Sequence, residues 1–268
     1  MAQLLLEPLQ PLLVGEPDSF DVTLVGCGGT GSFLALDLAR LAWDARQRGV
    51  CLRLTFVDHD LVELKNVGRQ NFAPVEVGRP KAETLAWRFN RAFGLDIRAA
   101  VQPFDGRVLR HPGPRHFRLL VGAVDNAAAR RAMAAAVEGE HGGLWWLDSG
   151  NLASAGQVLI GNRSQWSTSA GFPGTGYCRA LPAPHRVRPG LLVPAVEEPA
   201  GSCAELVAAE VQSLMVNRAV AAFAGQYLYS IVIRRRLDVF MTLVDLDSGF
   251  GASTPITPGN VAREVGQE

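Results

Sequence analysis

Between residues 20 and 148 the hydrophobic period of the chain switches repeatedly between two values. "DVTLVG" (21–26) is a short β-branched run ending in glycine. "GSFLALDLARLAWDARQ" (31–47) sets Phe33, Leu34, Leu38, Leu41 and Ala42 along one helical face. "CLRLTFVD" (51–58) has strand character, "PKAETLAWRFNRAF" (80–93) helical, and "DIRAAVQPF" (96–104) strand again. "HFRLLVGAVD" (116–125), "NAAARRAMAAAVE" (126–138) and "LWWLDSGN" (144–151) repeat the cycle, the last as a final strand entering a loop. Parallel strands need long crossovers, and strands apolar on both faces must be covered on both. The alternation therefore predicts an α/β fold, a doubly wound, mostly parallel sheet.

The texture changes from about 161 to 203. Gly, Pro and Ser crowd "GFPGTGYCRALPAPHRVRPG" and "EEPAGSC", which reads as one long crossover loop. "AELVAAEVQSLMVNRAVAAFAGQYL" (204–228) then predicts a helix with Val211, Leu214, Met215, Ala219, Ala222 and Phe223 on its apolar side. "YSIVIRR" (229–235) and "DVFMTLVDLD" (238–247) read as a terminal β-hairpin, and the polar tail from Ala252 as frayed. The expected organisation is one domain, 1–268. It comprises a nucleotide-binding part at about 20–150, the crossover loop at about 161–203, and a C-terminal helix and hairpin at about 204–250.

Composition narrows the function classes. Lys+Arg and Asp+Glu each number 26, so no global field draws the chain to nucleic acid or an anionic membrane. The four cysteines (Cys27, Cys51, Cys178, Cys203) contain no C-x-x-C pair, so neither a zinc site nor a disulfide framework is expected. The apolar start "MAQLLLEPLQPLLVG" lacks a cationic region, and the longest apolar run, 219–233, is too short and interrupted to span a bilayer. A cytoplasmic protein is expected. The five histidines are scattered without metal-ligand spacing.

"LVGCGGTGS" (24–32) follows the first strand and opens the first helix. Gly26, Gly28 and Gly31 satisfy G-x-G-x-x-G, with Gly29 in addition. Glycine permits the turn and a close backbone approach to phosphate, and a helix N-terminus favours the anion. Thr30 or Ser32 can cap that helix. Asp58 ends the second strand, where dinucleotide folds hold a ribose with a carboxylate. These two features alone describe a nicotinamide dehydrogenase.

The stretch "TFVDHDLVELKNVGRQNF" (55–72) argues otherwise. After Asp58 come Asp60, Glu63, Asn66, Arg69 and Gln70, then Lys81 within "VGRPKAE", and Asp125, Asn126 and Arg130 within "LLVGAVDNAAARR". A glycine loop, one ribose acid, two phosphate-seeking cations and a further acid able to hold magnesium suit ATP cleavage at the α-phosphate. Hydride transfer needs no such cations.

These blocks resemble the ThiF/MoeB/ubiquitin-activating-enzyme superfamily, with its G-x-G-G-x-G-S, D-x-D-x-V-x-x-x-N-x-x-R-Q, G-x-x-K and D-N-x-x-x-R motifs in order. The resemblance implies a Rossmann-like fold and ATP-dependent adenylation of the C-terminal carboxylate of a small ubiquitin-like or sulfur-carrier-like protein or peptide. It implies ATP and Mg2+ as cofactors and a homodimer; from the charge balance and the apolar runs, neither nucleic acid nor membrane is expected as a partner. By the same resemblance Asp58 holds the ribose. Asn66, Arg69 and Lys81 act on phosphates and transition state, Asp125 is the magnesium or general electrostatic anchor, and Gln70 and Arg130 support them.

"GYCRALP" and "GSCAELVAAEVQSLMVNRAVA" narrow the likeness to ThiF-family proteins of plasmid PRTRC systems. In some members of the superfamily a crossover-loop cysteine carries the acceptor onward. Cys203 is either that nucleophile or an incidental thiol. The superfamily's N-terminal arginine is missing, since the first arginine is Arg40. That departure supports an alternative, a catalytically weak nucleotide-binding partner or regulatory module of a PRTRC-type system.

Overall fold

The computed structural model describes residues 7–109, 115–152, 154–194 and 214–266. Its chain opens with β1 (Leu12–Leu13) and β2 (Ser19–Val25), and every residue of β2 is buried. β3 (Leu52–Val57) and β5 (His116–Gly122) flank β2, both parallel to it. β4 (Arg98–Ala100) lies parallel outside β3, and β6 (Leu144–Asn151) parallel outside β5. Three antiparallel strands extend the sheet from β6. They are β7 (Ala155–Gly161), then β9 (Val239–Asp245), then β10 (Phe250–Pro255). The order is β4-β3-β2-β5-β6-β7-β9-β10, and β8 (Arg236–Leu237) pairs separately with β1.

The expected α/β sheet is the one observed, and alternation along its strands explains its double cover. In β5, Leu119 and Val121 join the larger core, whereas Leu120 joins a smaller one with Met133, Val137 and Trp146. The larger core lies under α1 (Gly29–Gln47), α2 (Lys81–Phe93) and the later helix at 214–232, and the smaller under α3 (Ala127–Gly139). Helices thus leave β2 and β5 toward opposite faces. A crevice opens between the carboxyl ends of those two strands, the place where open α/β sheets bind ligands.

The second half departs from the sequence reading in five ways. The strand β7 follows "LWWLDSGN" almost at once, and its first three residues are only half-buried, which blurred the strand signal. The described part of the crossover segment, to 194, is packed rather than open. It carries α4 (Thr168–Gly171) and α5 (Pro184–Val187), and it buries Trp166, Phe172, Cys178 and Leu181. "YSIVIRR" lies in and just beyond the end of α6 (Leu214–Val232), so the terminal hairpin is β9–β10 instead. The tail beyond Ala252 completes β10 and then forms α7 (Pro258–Glu264), capped by Thr257.

The apolar side of α6 also differs. Val216, Val220, Ala224, Tyr227, Leu228 and Ile231 are buried, whereas Met215 is 52% and Phe223 38% exposed. A helix apolar all round gives no sharp direction to its periodicity. Packing against α1 and the sheet then decides which side is buried, with Gly225 beside Asp37 of α1. Among the described residues no helix is long and apolar enough to cross a membrane.

The turn from β2 into α1 is the tightest point of the framework. A Cβ on Gly31 would lie 1.9 Å from the Gly26 carbonyl oxygen. Gly31→Ala is therefore expected to destabilise the fold by at least the ~1–3 kcal/mol typical of overpacking, read as a lowered thermal midpoint. An unchanged midpoint would show that the turn can relax.

Candidate functional site

The crevice is a cleft of about 1300 Å³ that runs from the glycine loop across the ends of β5 and β6 to β7 and β9. Gly26 has φ +88, and a Cβ there would lie 2.5 Å from the Ala123 carbonyl oxygen, so the loop sits directly against the end of β5. At Gly28 the nearest atom to a built Cβ is Gln70 Nε2 at 3.8 Å, which leaves the loop backbone open to the cleft. Gly28 is the N-cap of α1 and offers no side-chain hydrogen bond. The first N–H groups of a helix lack intrahelical acceptors, so this end is suited to an anion.

Neither Thr30 nor Ser32 caps α1; both lie within the helix. Ser32 Oγ donates to Gly29 O (3.2 Å) and accepts from Asn71 N (2.9 Å), which pins the segment after Gln70 to the helix. Thr30 Oγ1 instead donates to Asn217 Oδ1 (3.1 Å).

Asp58 leaves the end of β3 and is only 8% exposed. Its Oδ2 accepts from Cys27 N (2.6 Å) and its Oδ1 from Asp60 N (2.8 Å). Burial raises its pKa, against the lowering effect of those two N–H groups and of Lys81. Lys81, at the start of α2 and 5% exposed, sends Nζ to Asp60 Oδ2 (2.9 Å), and its backbone N–H bonds Asp60 O. Burial alone would raise Asp60, but the hydrogen bond and charge of Lys81, with His59 and Lys65, hold its carboxyl below the usual range. The acid thus compensates a cation at a helix start, where the macrodipole opposes it.

Arg69 and Gln70 reach the same cleft, with Asp125, Asn126 and Arg130 on its opposite side. Asn66 does not line it. That side chain is buried and accepts from Glu63 N (2.9 Å), closing a 3-10 turn. Asn126, rather than Asp125, caps α3, by accepting from Ala129 N (2.8 Å), and this leaves the exposed Asp125 carboxylate facing the cleft. Among the described residues, Asp58, His59 and Asp60 form the group of possible metal ligands, their ligand atoms within 4.8 Å of one another. Asp125 stands apart from that group. A single carboxylate is nonetheless a fitting magnesium ligand, because magnesium usually takes one or two carboxylates and completes its shell with waters and substrate phosphates.

Cys203 lies outside the described residues. Cys178 is buried away from the cleft, its thiol pushed up to about 12 by burial, and its Sγ donates to Ala180 O (3.3 Å). Burial likewise raises the Cys27 thiol. Neither is a thiolate at neutral pH.

Residues 14–239 match the ThiF family. This chain belongs to the ThiF family. No curated protein matches it. Among solved structures, PaaA shares 13% identity at a TM-score of 0.57, over 89% of this chain and 64% of its own. E. coli MccB with ATP gives 13% and 0.56, over 88% of this chain and 63% of its own. E. coli MccB with AMPCPP and MccA gives 14% and 0.53, with the same coverage. The chain therefore spans less than two thirds of those chains' length. At such identities the likeness concerns the ThiF fold.

Several polar residues of this ThiF-family cleft escape a motif reading. Asn151 and Gln157, from β6 and β7, and Asn217, from α6, line it, and Asp148 lies behind it. Asp148 and Asn151 belong to the polar "DSGN" at the end of an apolar strand and Asn217 to "QSLMVNRAVA", whereas nothing local marks Gln157. Asp148 is fully buried, its Oδ1 3.3 Å from Arg130 Nε, while Arg130 Nη2 donates to Val124 O (2.5 Å). Arg130 is thereby aimed along the cleft wall.

Burial raises Asp148 from 3.8 to about 6, with Arg130 opposing. Because the folded state holds this proton more tightly, the stabilisation is complete below 3.8 and is lost as pH rises to about 6. The shift corresponds to ~3 kcal/mol. Denaturant unfolding of wild type and Asp148→Asn should show wild type losing about that much more stability between pH 3.5 and 7. Parallel pH profiles would contradict it.

Proposed function

We propose that this chain binds ATP in the cleft and adenylates the C-terminal carboxylate of a small protein or peptide. One observation carries the reading. The glycine loop, Asp58, Arg69, Gln70, Lys81, Asp125 and Arg130, scattered over more than a hundred residues of sequence, line a single cleft at the carboxyl ends of the parallel strands. MccB, solved with ATP and with AMPCPP plus MccA, supports a nucleotide and a second ligand in a cleft of this fold.

In this reading Asp58, already fixed by two backbone N–H groups, receives the ribose hydroxyls. The open backbone at Gly28 and the start of α1 receive the phosphates. The acceptor carboxylate attacks the α-phosphorus, the bond to the bridging oxygen breaks, and pyrophosphate leaves. Arg69 and Lys81 stabilise the charge that builds on the phosphoryl oxygens, and Arg130, braced by Asp148, flanks them. Asp125 would hold magnesium, which when bound neutralises phosphate charge. Asn66 acts indirectly, by shaping the turn that presents Arg69. The described thiols take no part, and a later transfer to Cys203 is an additional step in the proposal. The likeness to PRTRC-system proteins, the homodimer and a cytoplasmic location belong to the same proposal.

ATP with magnesium should raise the thermal midpoint more than NAD does, by linkage. An equal or greater rise with NAD would replace adenylation by redox chemistry. Arg69→Ala and Asp125→Ala should each reduce pyrophosphate exchange, measured with the acceptor, by about 10²–10³ while leaving the apo midpoint unchanged. ATP binding without any exchange would favour the regulatory-module alternative, and wild-type exchange in both variants would relocate the site.

A further inference from the structure

Asn217 sits near the start of α6, 1% exposed, with its carboxamide against the glycine loop. A Cβ on Gly29 would lie 2.5 Å from its Oδ1 and 3.0 Å from its Nδ2. Its oxygen is fully used, accepting from Thr30 Oγ1 and from Asn151 Nδ2, each at 3.1 Å. Its Nδ2 is buried and has no hydrogen-bond partner, although the side chain lines the cleft. Buried side-chain donors are nearly always paired, and leaving one unpaired costs about 1–3 kcal/mol. The fold carries this donor at the one place where α1, a 19-residue helix, begins with an uncapped glycine turn.

We infer that Asn217 Nδ2 is a phosphate-binding donor which completes, from the far end of the chain, the anion site begun by Gly28, Gly29 and the start of α1. The inference rests on the nucleotide reading above and deepens it. Thr30 and Asn151 hold the amide oxygen, and this fixes which edge of the carboxamide meets the ligand. The site recognises an anionic phosphoryl oxygen of the nucleotide and takes no part in holding base or ribose, which belong to the Asp58 side. Asn217 is thus a specificity residue for the phosphorylated form of the nucleoside.

Titration calorimetry of the full chain with ATP–magnesium, adenosine and inorganic pyrophosphate tests this. Asn217→Asp keeps the shape, removes the donor and adds like charge. It should weaken ATP and pyrophosphate by about tenfold or more while leaving adenosine affinity unchanged. Asn217→Ala removes the donor without adding charge, together with the oxygen that Thr30 and Asn151 use, and should weaken ATP by a smaller factor, again sparing adenosine. Parallel loss of ATP and adenosine would make Asn217 a scaffold residue and overturn the assignment, as would undiminished ATP affinity in both variants. If the wild-type chain bound neither ATP nor pyrophosphate, the nucleotide reading itself would fall, a result distinct from a failure at Asn217 alone.

Discussion

The N–H of Cys27 donates to the Asp58 carboxylate at 2.6 Å, and the geometry of the cleft depends on that bond. It ties the end of β3 to the turn that leads β2 into α1. The second oxygen of Asp58 holds Asp60, whose backbone and carboxylate in turn hold Lys81 at the head of α2. A chain of three short contacts thus sets the first helix, the second helix and the acid between them in one arrangement. Each link is part-buried or buried, so each exchanges less with water than a surface pair would.

The opposite wall is built on a separate principle. Arg130 is braced by the buried Asp148 and by the Val124 carbonyl, so its orientation costs little entropy when a ligand arrives. Between the two walls the floor is made of polar side chains from late in the chain, Asn151 and Asn217, which bond each other and Thr30. The glycine loop is accordingly gripped from three directions: by Asp58, by the end of β5, and by α6.

How much of this was legible varies with the kind of interaction. Local periodicity revealed the parallel half, because buried crossover helices and two-sided strands leave plain marks in the sequence. The motif residues Asp58, Arg69, Gln70, Lys81, Asp125 and Arg130 were legible as a set because their spacing is local to strand ends. The face of α6 was not, since a helix apolar all round takes its direction from what packs on it. The strand β7 was missed for a similar reason: its half-buried start resembles a loop.

The sequence by itself determined the alternation of strand and helix, the glycine turn, and the residue types that gather at strand ends. These follow from short-range sterics and hydrophobic period, which operate within about a dozen residues. Only the tertiary structure decided which side chains face the cleft. It turned Asn66 and Ser32 inward as supports, made Asn126 the cap so that Asp125 stayed open, and brought Asn217 against Gly29 across 188 positions. Those outcomes depend on long-range packing and on which hydrogen-bond partner lies nearest after folding, and no local pattern carries that information.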